Sequence, residues 1–225
     1  MGMRSVRNLA SLTLIALTGC NGACAGNSSR DFPLSVGFTP IEPCVASFPP
    51  ATATDPHPEA VNIVQGPSSG GYNSAHGAAY VHAPLTDVYA ALQLPAVSRI
   101  HGTDSTEVTM NVEPEFPISF QIVYTASGLG GAVTVHWTIV YRGGYLDQTP
   151  GAEVVGFRYQ RTTGTDNVEI QDGSLVAEEV EPGAVTALQF VCHLKATGTG
   201  LPDVEGTVQD WFNDISASVH GQPIP

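Results

Sequence analysis

Seven histidines (His57, His76, His82, His101, His136, His193 and His220) and four cysteines are the side chains of this sequence best suited to hold a metal or act as a nucleophile. The histidines show no HExxH or HxH spacing and the cysteines no CxxC pair, whereas zinc or iron needs clustered imidazoles, thiolates or carboxylates. His76 and His82 share one face of a strand, yet six residues of strand separate them by ~20 Å. The expectation is therefore no metal and no cofactor. Cys192 alternates with Phe190 and Leu194. Apolar burial raises a thiol's pKa and hides it, so Cys192 reads as a core residue and not a nucleophile. No catalytic residues are assigned.

Charged residues give weaker signals. Asp166, Glu169, Asp172, Glu178, Glu179 and Glu181 lack the spacing of a calcium loop and read as a solvated face. Arg142, Arg158 and Arg161 read as the charge balance to that series, although one turned inward would suit a ligand carboxylate or a core acid. The chain carries 8 Lys+Arg against 21 Asp+Glu, a net charge of −13. Nucleic-acid affinity comes mainly from basic residues, so nucleic acid is excluded as a partner. A peripheral contact with anionic headgroups is disfavoured for the same reason.

At the N-terminus, Arg4 and Arg7 precede a short apolar run from Leu9 to Leu17. Nine helical residues reach ~14 Å, half a bilayer's hydrocarbon core, so the run reads as a targeting segment and not a membrane span. It ends in Leu17-Thr18-Gly19-Cys20, which resembles the lipobox of bacterial lipoproteins. The resemblance implies cleavage after residue 19, a lipidated Cys20 as the new N-terminus, and a home in the bacterial cell envelope. Asn21, in place of an Asp, favours the outer membrane, with the protein facing the periplasm. Losing Arg4 and Arg7 takes the net charge from −13 to −15. An oxidising compartment permits a disulfide between Cys24 and Cys44, the alternative being two free thiols.

Composition then changes twice. Residues 20–73 are rich in Pro, Ser and Gly without a period of 2 or 3.6, and read as a tether; its apolar residues, such as Phe38, Ile41 and Phe48, suit partial docking on the domain. Residues 74–225 read as one domain. A strand from Ala75 to His82 is followed by a short helix from Pro84 to Leu92 and a further helical turn from Pro95 to Ile100. Six strands come next, over Glu107–Val112, Ile118–Ala126, Val133–Arg142, Glu153–Thr163, Val168–Val180 and Ala184–Thr197. A long helix from Asp203 to Val219 closes the chain, with Asp203 as its N-cap. Its stripe of Val204, Val208, Trp211, Phe212, Ile215 and Val219 should face the sheet, leaving Asp210, Asn213, Asp214 and Ser218 outside.

This order, together with the segment His82-Ala83-Pro84-Leu85-Thr86-Asp87-Val88-Tyr89-Ala90-Ala91-Leu92, Gly173-Ser174-Leu175 in a long strand and Thr186 in the last, resembles the helix-grip superfamily. That superfamily includes START domains and the polyketide cyclase and dehydrase-like (SRPBCC) proteins. The resemblance covers about Ser74 to Gly221 and implies an α+β fold, an antiparallel sheet of about seven strands wrapped around a long C-terminal helix. Phe120, Ile122, Tyr124, Trp137, Phe190 and Trp211 would then face the space between sheet and helix. They either line a cavity for a small lipophilic ligand or fill a solid core. The implied function is ligand binding by a membrane-anchored lipoprotein. The alternatives are an enzyme of the cyclase or hydratase kind and a structural envelope lipoprotein without a ligand.

Overall fold

The computed structural model describes residues 37–67, 71–128 and 133–224. Cys20 and Cys24, and with them the expected lipidation and disulfide, lie outside the described residues. Strands form where β-branched and aromatic residues alternate with polar ones: β1 (Val61–Gln65), β2 (Asn73–Val81), β3 (Ser105–Met110), β4 (Ile118–Gly128), β5 (Val133–Asp147), β6 (Val154–Gly164), β7 (Val168–Glu181) and β8 (Val185–Ala196). They make one antiparallel sheet in the order β1-β2-β8-β7-β6-β5-β4-β3. Helix α1 (Leu85–Leu92) and a 3-10 turn (Pro95–Ser98) follow β2, and α2 (Leu201–Val219) ends the fold. The sheet has eight strands, where about seven were expected, because Val61–Gln65 pairs along β2. No helix among the described residues is long and apolar enough to cross a membrane.

The inward positions of β2 are small: Ala75, Gly77 and Ala79. They let α2 approach closely. A Cβ on Gly77 would stand 2.5 Å from Val208 Cγ1 on α2, a contact that no side chain sustains. Val204, Val208, Trp211, Phe212 and Ile215 are buried as the helical stripe requires. Trp211 is the aromatic hub, with ring centroids 4.8 Å from Tyr159, 5.9 Å from Phe157 and 6.1 Å from Phe190. The N-cap of α2 is Gly200, not Asp203. Pro202 suits the first turn, so the helix begins earlier, and Asp203 instead accepts a hydrogen bond from Gly200 N at 2.7 Å.

Both faces of the sheet are covered, the outer one by part of the segment read as tether. From Gly37 the chain meets the strands in their spatial order. The carbonyls of Gly37 and Thr39 accept from Arg142 on β5 and Arg158 on β6, each at 3.5 Å. Ile41 N donates to Ser174 Oγ on β7 at 3.2 Å, and Val45 N donates to His76 Nδ1 on β2 at 3.1 Å. Phe38 packs edge-on against Phe116, and Phe48 stacks on Tyr80. Two arginines expected at the surface are buried. Arg142 is only 6% exposed, bonded through Nε and Nη2 to the Glu113 carboxylate and placed over the Phe116 ring. Arg161, on the inner face, is 2% exposed and donates to Thr165 O at 3.1 Å. The arginines are thus not simple surface balance for the acidic series. A charge buried this deeply needs a partner, and Glu113, outside that series, is the one Arg142 finds.

Candidate functional site

A cleft of about 500 Å³ opens between the first half of α2 and the inner face of the sheet. Val168 and Gln171 of β7, Leu194 and Ala196 of β8, and Trp137 of β5 form its floor; Pro202, Gly206, Thr207 and Trp211 of α2 form its roof. Arg99, Ile100, His101 and Gly102, which follow the 3-10 turn, close one side, with Asp203 and Asp210 also on the walls. Gly206 matters here. A Cβ built on it meets no atom within 4 Å, so the roof is open where a larger residue would fill it.

Of the six residues expected to line a cavity, Trp137 and Trp211 do so. Phe120, Ile122, Tyr124 and Phe190 are fully buried in the core and are not among the walls of this cleft. Strand alternation sorts inward from outward residues, but it does not say how far along the strand the helix lies in contact. Where α2 is close, over β1, β2 and β8, the interior is filled. Toward the ends of β5, β7 and β8 it is hollow. Tyr124 and Tyr141 share a 2.7 Å hydrogen bond, and their hydroxyls lie 3.4 and 3.1 Å from Ser98 O, so one proton joins the phenols and the other goes to the carbonyl. Burial holds both phenols neutral by raising their pKa values well above the ordinary range. The Cys192 thiol accepts from Tyr159 Oη at 2.9 Å, and burial pushes its pKa up to about 12. It is a core cysteine.

A histidine–carboxylate pair stands beside the cleft. His101 Nε2 is 2.8 Å from Asp214 Oδ2, and His101 Nδ1 is 3.8 Å from Asp210 Oδ2. Asp214, expected on the outer side of α2, is fully buried. Burial raises its pKa, against the lowering effect of the His101 hydrogen bond. No motif announces this pair, since 113 positions separate its members.

A second cluster lies under the strap. Glu42 Oε1 is 2.8 Å from His76 Nε2 and 3.3 Å from His193 Nε2, while His193 Nδ1 is 3.3 Å from Asp172 Oδ1. The histidines are clustered after all, because β2 and β8 are neighbours across a wide sequence gap. Their three ligand atoms lie within 4.8 Å of one another, close enough for a divalent metal. The tautomer opposes one. His76 Nδ1 accepts from Val45 N, so Nε2 carries the proton and donates it to Glu42. The Tyr72 ring, 4.4 Å away, tilts over His193. As it stands, the cluster fastens the strap. Cys44 beside it donates to Gly77 O at 3.4 Å, and burial raises its thiol pKa.

No protein-family model matches the chain, and no curated protein does either. Among solved structures, the human StarD13 (DLC2) lipid transfer and protein localization domain aligns at TM-score 0.50 and 10% identity, over 72% of this chain and 84% of that one. Human STARD10 aligns at TM-score 0.46 and 5% identity over 71% and 69%, and TTHA0849 from Thermus thermophilus at 0.44 and 14% over 66% and 97%. With one antiparallel sheet laid against a long C-terminal helix, the chain has the helix-grip fold, an architecture it shares with the StarD13 domain.

Proposed function

We propose that this protein is a lipid-anchored envelope lipoprotein that holds one small hydrophobic ligand between α2 and the sheet. The cleft carries the reading. Its volume of about 500 Å³ is that of a small-molecule site, and its walls expose mostly apolar surface, from residues such as Trp137, Leu194 and Trp211, beside an equal number of polar or charged residues such as Gln171, Asp203 and Asp210. The anchor rests on Arg4, Arg7, the apolar run to Leu17 and the cysteine at position 20. Gly37 follows Cys20 by seventeen residues, which span at most ~60 Å when extended, so the domain stays near the bilayer that holds the lipid.

Two measurements test this. Native mass spectrometry of the full-length protein should find a bound lipophile that Gly206→Leu displaces, because a leucine there projects into the open roof. A protein that neither co-purifies with a lipophile nor takes up an added one loses the binding reading. Separately, Cys20→Ala and globomycin should each block maturation and free the protein from membranes. Unchanged membrane partitioning of the variant would end the lipoprotein reading.

His101 and Asp214 favour a second reading, an enzyme of the hydratase or cyclase kind. A buried carboxylate fixes the Nε2–H tautomer and leaves Nδ1 as a base beside the cleft. The readings separate on whether a ligand leaves the protein chemically changed, and on whether His101→Gln abolishes that change.

A further inference from the structure

The chain just after the 3-10 turn is pinned at both ends. At one end the Ser98 carbonyl lies 3.4 and 3.1 Å from the buried Tyr124 and Tyr141 hydroxyls. At the other, Asp104 N donates to Thr125 O on β4 at 2.8 Å. Between these pins, residues 99–103 form neither helix nor strand.

This loop has space on either side. Arg99, Ile100, His101 and Gly102 close one side of the cleft, and the same four residues line a second hollow of about 320 Å³, completed by residues 103–106. A close-packed segment moves only by displacing its neighbours. A wall between two hollows is free of that restraint. Gly102 adds backbone freedom: its φ is +76°, and a Cβ there would meet no atom within 4 Å. Thr103 Oγ1 donates back to Ile100 O at 3.2 Å, so the loop keeps its own turn as it moves.

Two carboxylates of α2 hold it down. His101 Nε2 donates to Asp214 Oδ2 at 2.8 Å, and His101 Nδ1 is 3.8 Å from Asp210 Oδ2. Because α2 is the roof of the cleft and the loop one of its sides, this contact joins two of its walls.

We propose that residues 99–103 are the gate of the cleft and that the His101–Asp214 hydrogen bond is its latch, which opens to admit a ligand and closes over it. This rests on the ligand-binding reading above and adds how access to that site is controlled. The latch is made with the cleft empty and again with it filled. Weakening it therefore speeds entry and exit together and leaves affinity nearly unchanged.

The test mixes the full-length protein in stopped flow with prodan, an uncharged lipophilic fluorophore. Prodan accepts excitation energy from tryptophan, and Trp137 and Trp211 both line the cleft. Asp214→Ala should raise the association and dissociation rate constants about tenfold each, as for the loss of one charge-assisted hydrogen bond. Their ratio should change less than about twofold. Asp214→Asn, which keeps the shape and an acceptor oxygen, should fall between the parent and Asp214→Ala. Asn213→Ala, at an exposed position of α2, should match the parent.

Trypsin supplies a readout without ligand. Cleavage after Arg99 should speed up in Asp214→Ala, while cleavage after the buried Arg142 and Arg161 should not, which separates a freed loop from a loosened domain. Unchanged prodan rates in Asp214→Ala overturn the gate and leave the binding reading standing. A rise in the dissociation rate alone also overturns it, since the pair would then hold the ligand and not the door. Cleavage that rises equally at all three arginines overturns the latch, because Asp214 would then support the whole domain. Prodan that fails to bind the parent protein overturns the binding reading, and the gate with it.

Discussion

Asp214, fully buried on α2, accepts from His101 at 2.8 Å and so ties the helix to the loop that closes the cleft. The apolar stripe of α2 meets the sheet and α1. Position 214, one residue before Ile215, falls on the flank that the loop after the 3-10 turn covers, and a carboxylate there needs a donor.

Asp214→Ala should therefore cost about 1–3 kcal/mol, the range for removing one partner of a buried hydrogen bond. An exposed helix position would lose no more than ~0.5 kcal/mol. Denaturant melts measure the difference, with Asn213→Ala as the exposed control. Equal, small losses would mean that the loop does not rest on the helix.

The same carboxylate sets a pH dependence. Burial raises its folded pKa above the ordinary aspartate value near 3.9. A raised folded pKa gives stability that is fully present below the unfolded value and lost as pH climbs through the folded one. Stability from this group should fall as pH rises from about 4 through that raised value, and Asp214→Asn should flatten the slope there. Melts of both proteins at closely spaced acidic pH values check this. Parallel curves would place the carboxylate in solvent.

The strap carries two opposing titrations. Burial lowers the pKa of His76 despite Glu42. Burial alone would lower His193 too, but Asp172 and Glu42 outweigh it and raise the net value. The His76 contribution is present above ~6.5 and lost as pH falls through its depressed pKa; the His193 contribution is present below ~6.5 and lost as pH rises through its elevated one. Strap docking should be tightest between the two. Hydrogen-exchange protection at Val45, whose amide donates to His76 Nδ1, should drop on the acid side when that nitrogen takes a proton. His193→Gln should remove the loss on the alkaline side. Protection that does not vary with pH would mean that neither imidazole holds the strap.

The inward faces of β5 and β8 were legible because Trp137, Ile139 and Tyr141, and Leu188, Phe190, Cys192 and Leu194, keep strict alternation. The stripe of α2 was legible for the same reason, at helical spacing. Val61–Gln65 was not: it is 5 residues long, follows a proline-rich stretch and gains its place only by pairing with β2. The His101–Asp214 pair and the Glu42–His76–His193 cluster depend on contacts across 34 to 151 positions, for which local pattern has no signature. The cleft was half legible. Periodicity turned Trp137 and Trp211 inward along with Phe120 and Phe190, but the hollow comes from the lie of α2 over the sheet and from the missing side chain of Gly206.

Trp211 stands where the filled and hollow parts meet, so its removal should read out both. Its ring packs against Phe157, Tyr159 and Phe190 on one side and lines the cleft on the other. Trp211→Ala should cost about 3–5 kcal/mol, as for large buried aromatics, and should weaken ligand retention besides. Gly77→Ala tests the grip at a point outside the cleft walls. Its new methyl meets Val208 Cγ1 at 2.5 Å, which forces α2 outward or Val208 from its rotamer at a cost of about 1–3 kcal/mol. In Gly77→Ala, Trp137 and Trp211 remain to report binding, and an added lipophile should still bind at temperatures where the variant is folded, more weakly only as far as α2, the roof of the cleft, is displaced. If Gly77→Ala is neutral while Trp211→Ala still destabilises, α2 rests on its aromatic contacts alone and does not press on β2. If both variants are neutral, α2 does not hold the sheet at all.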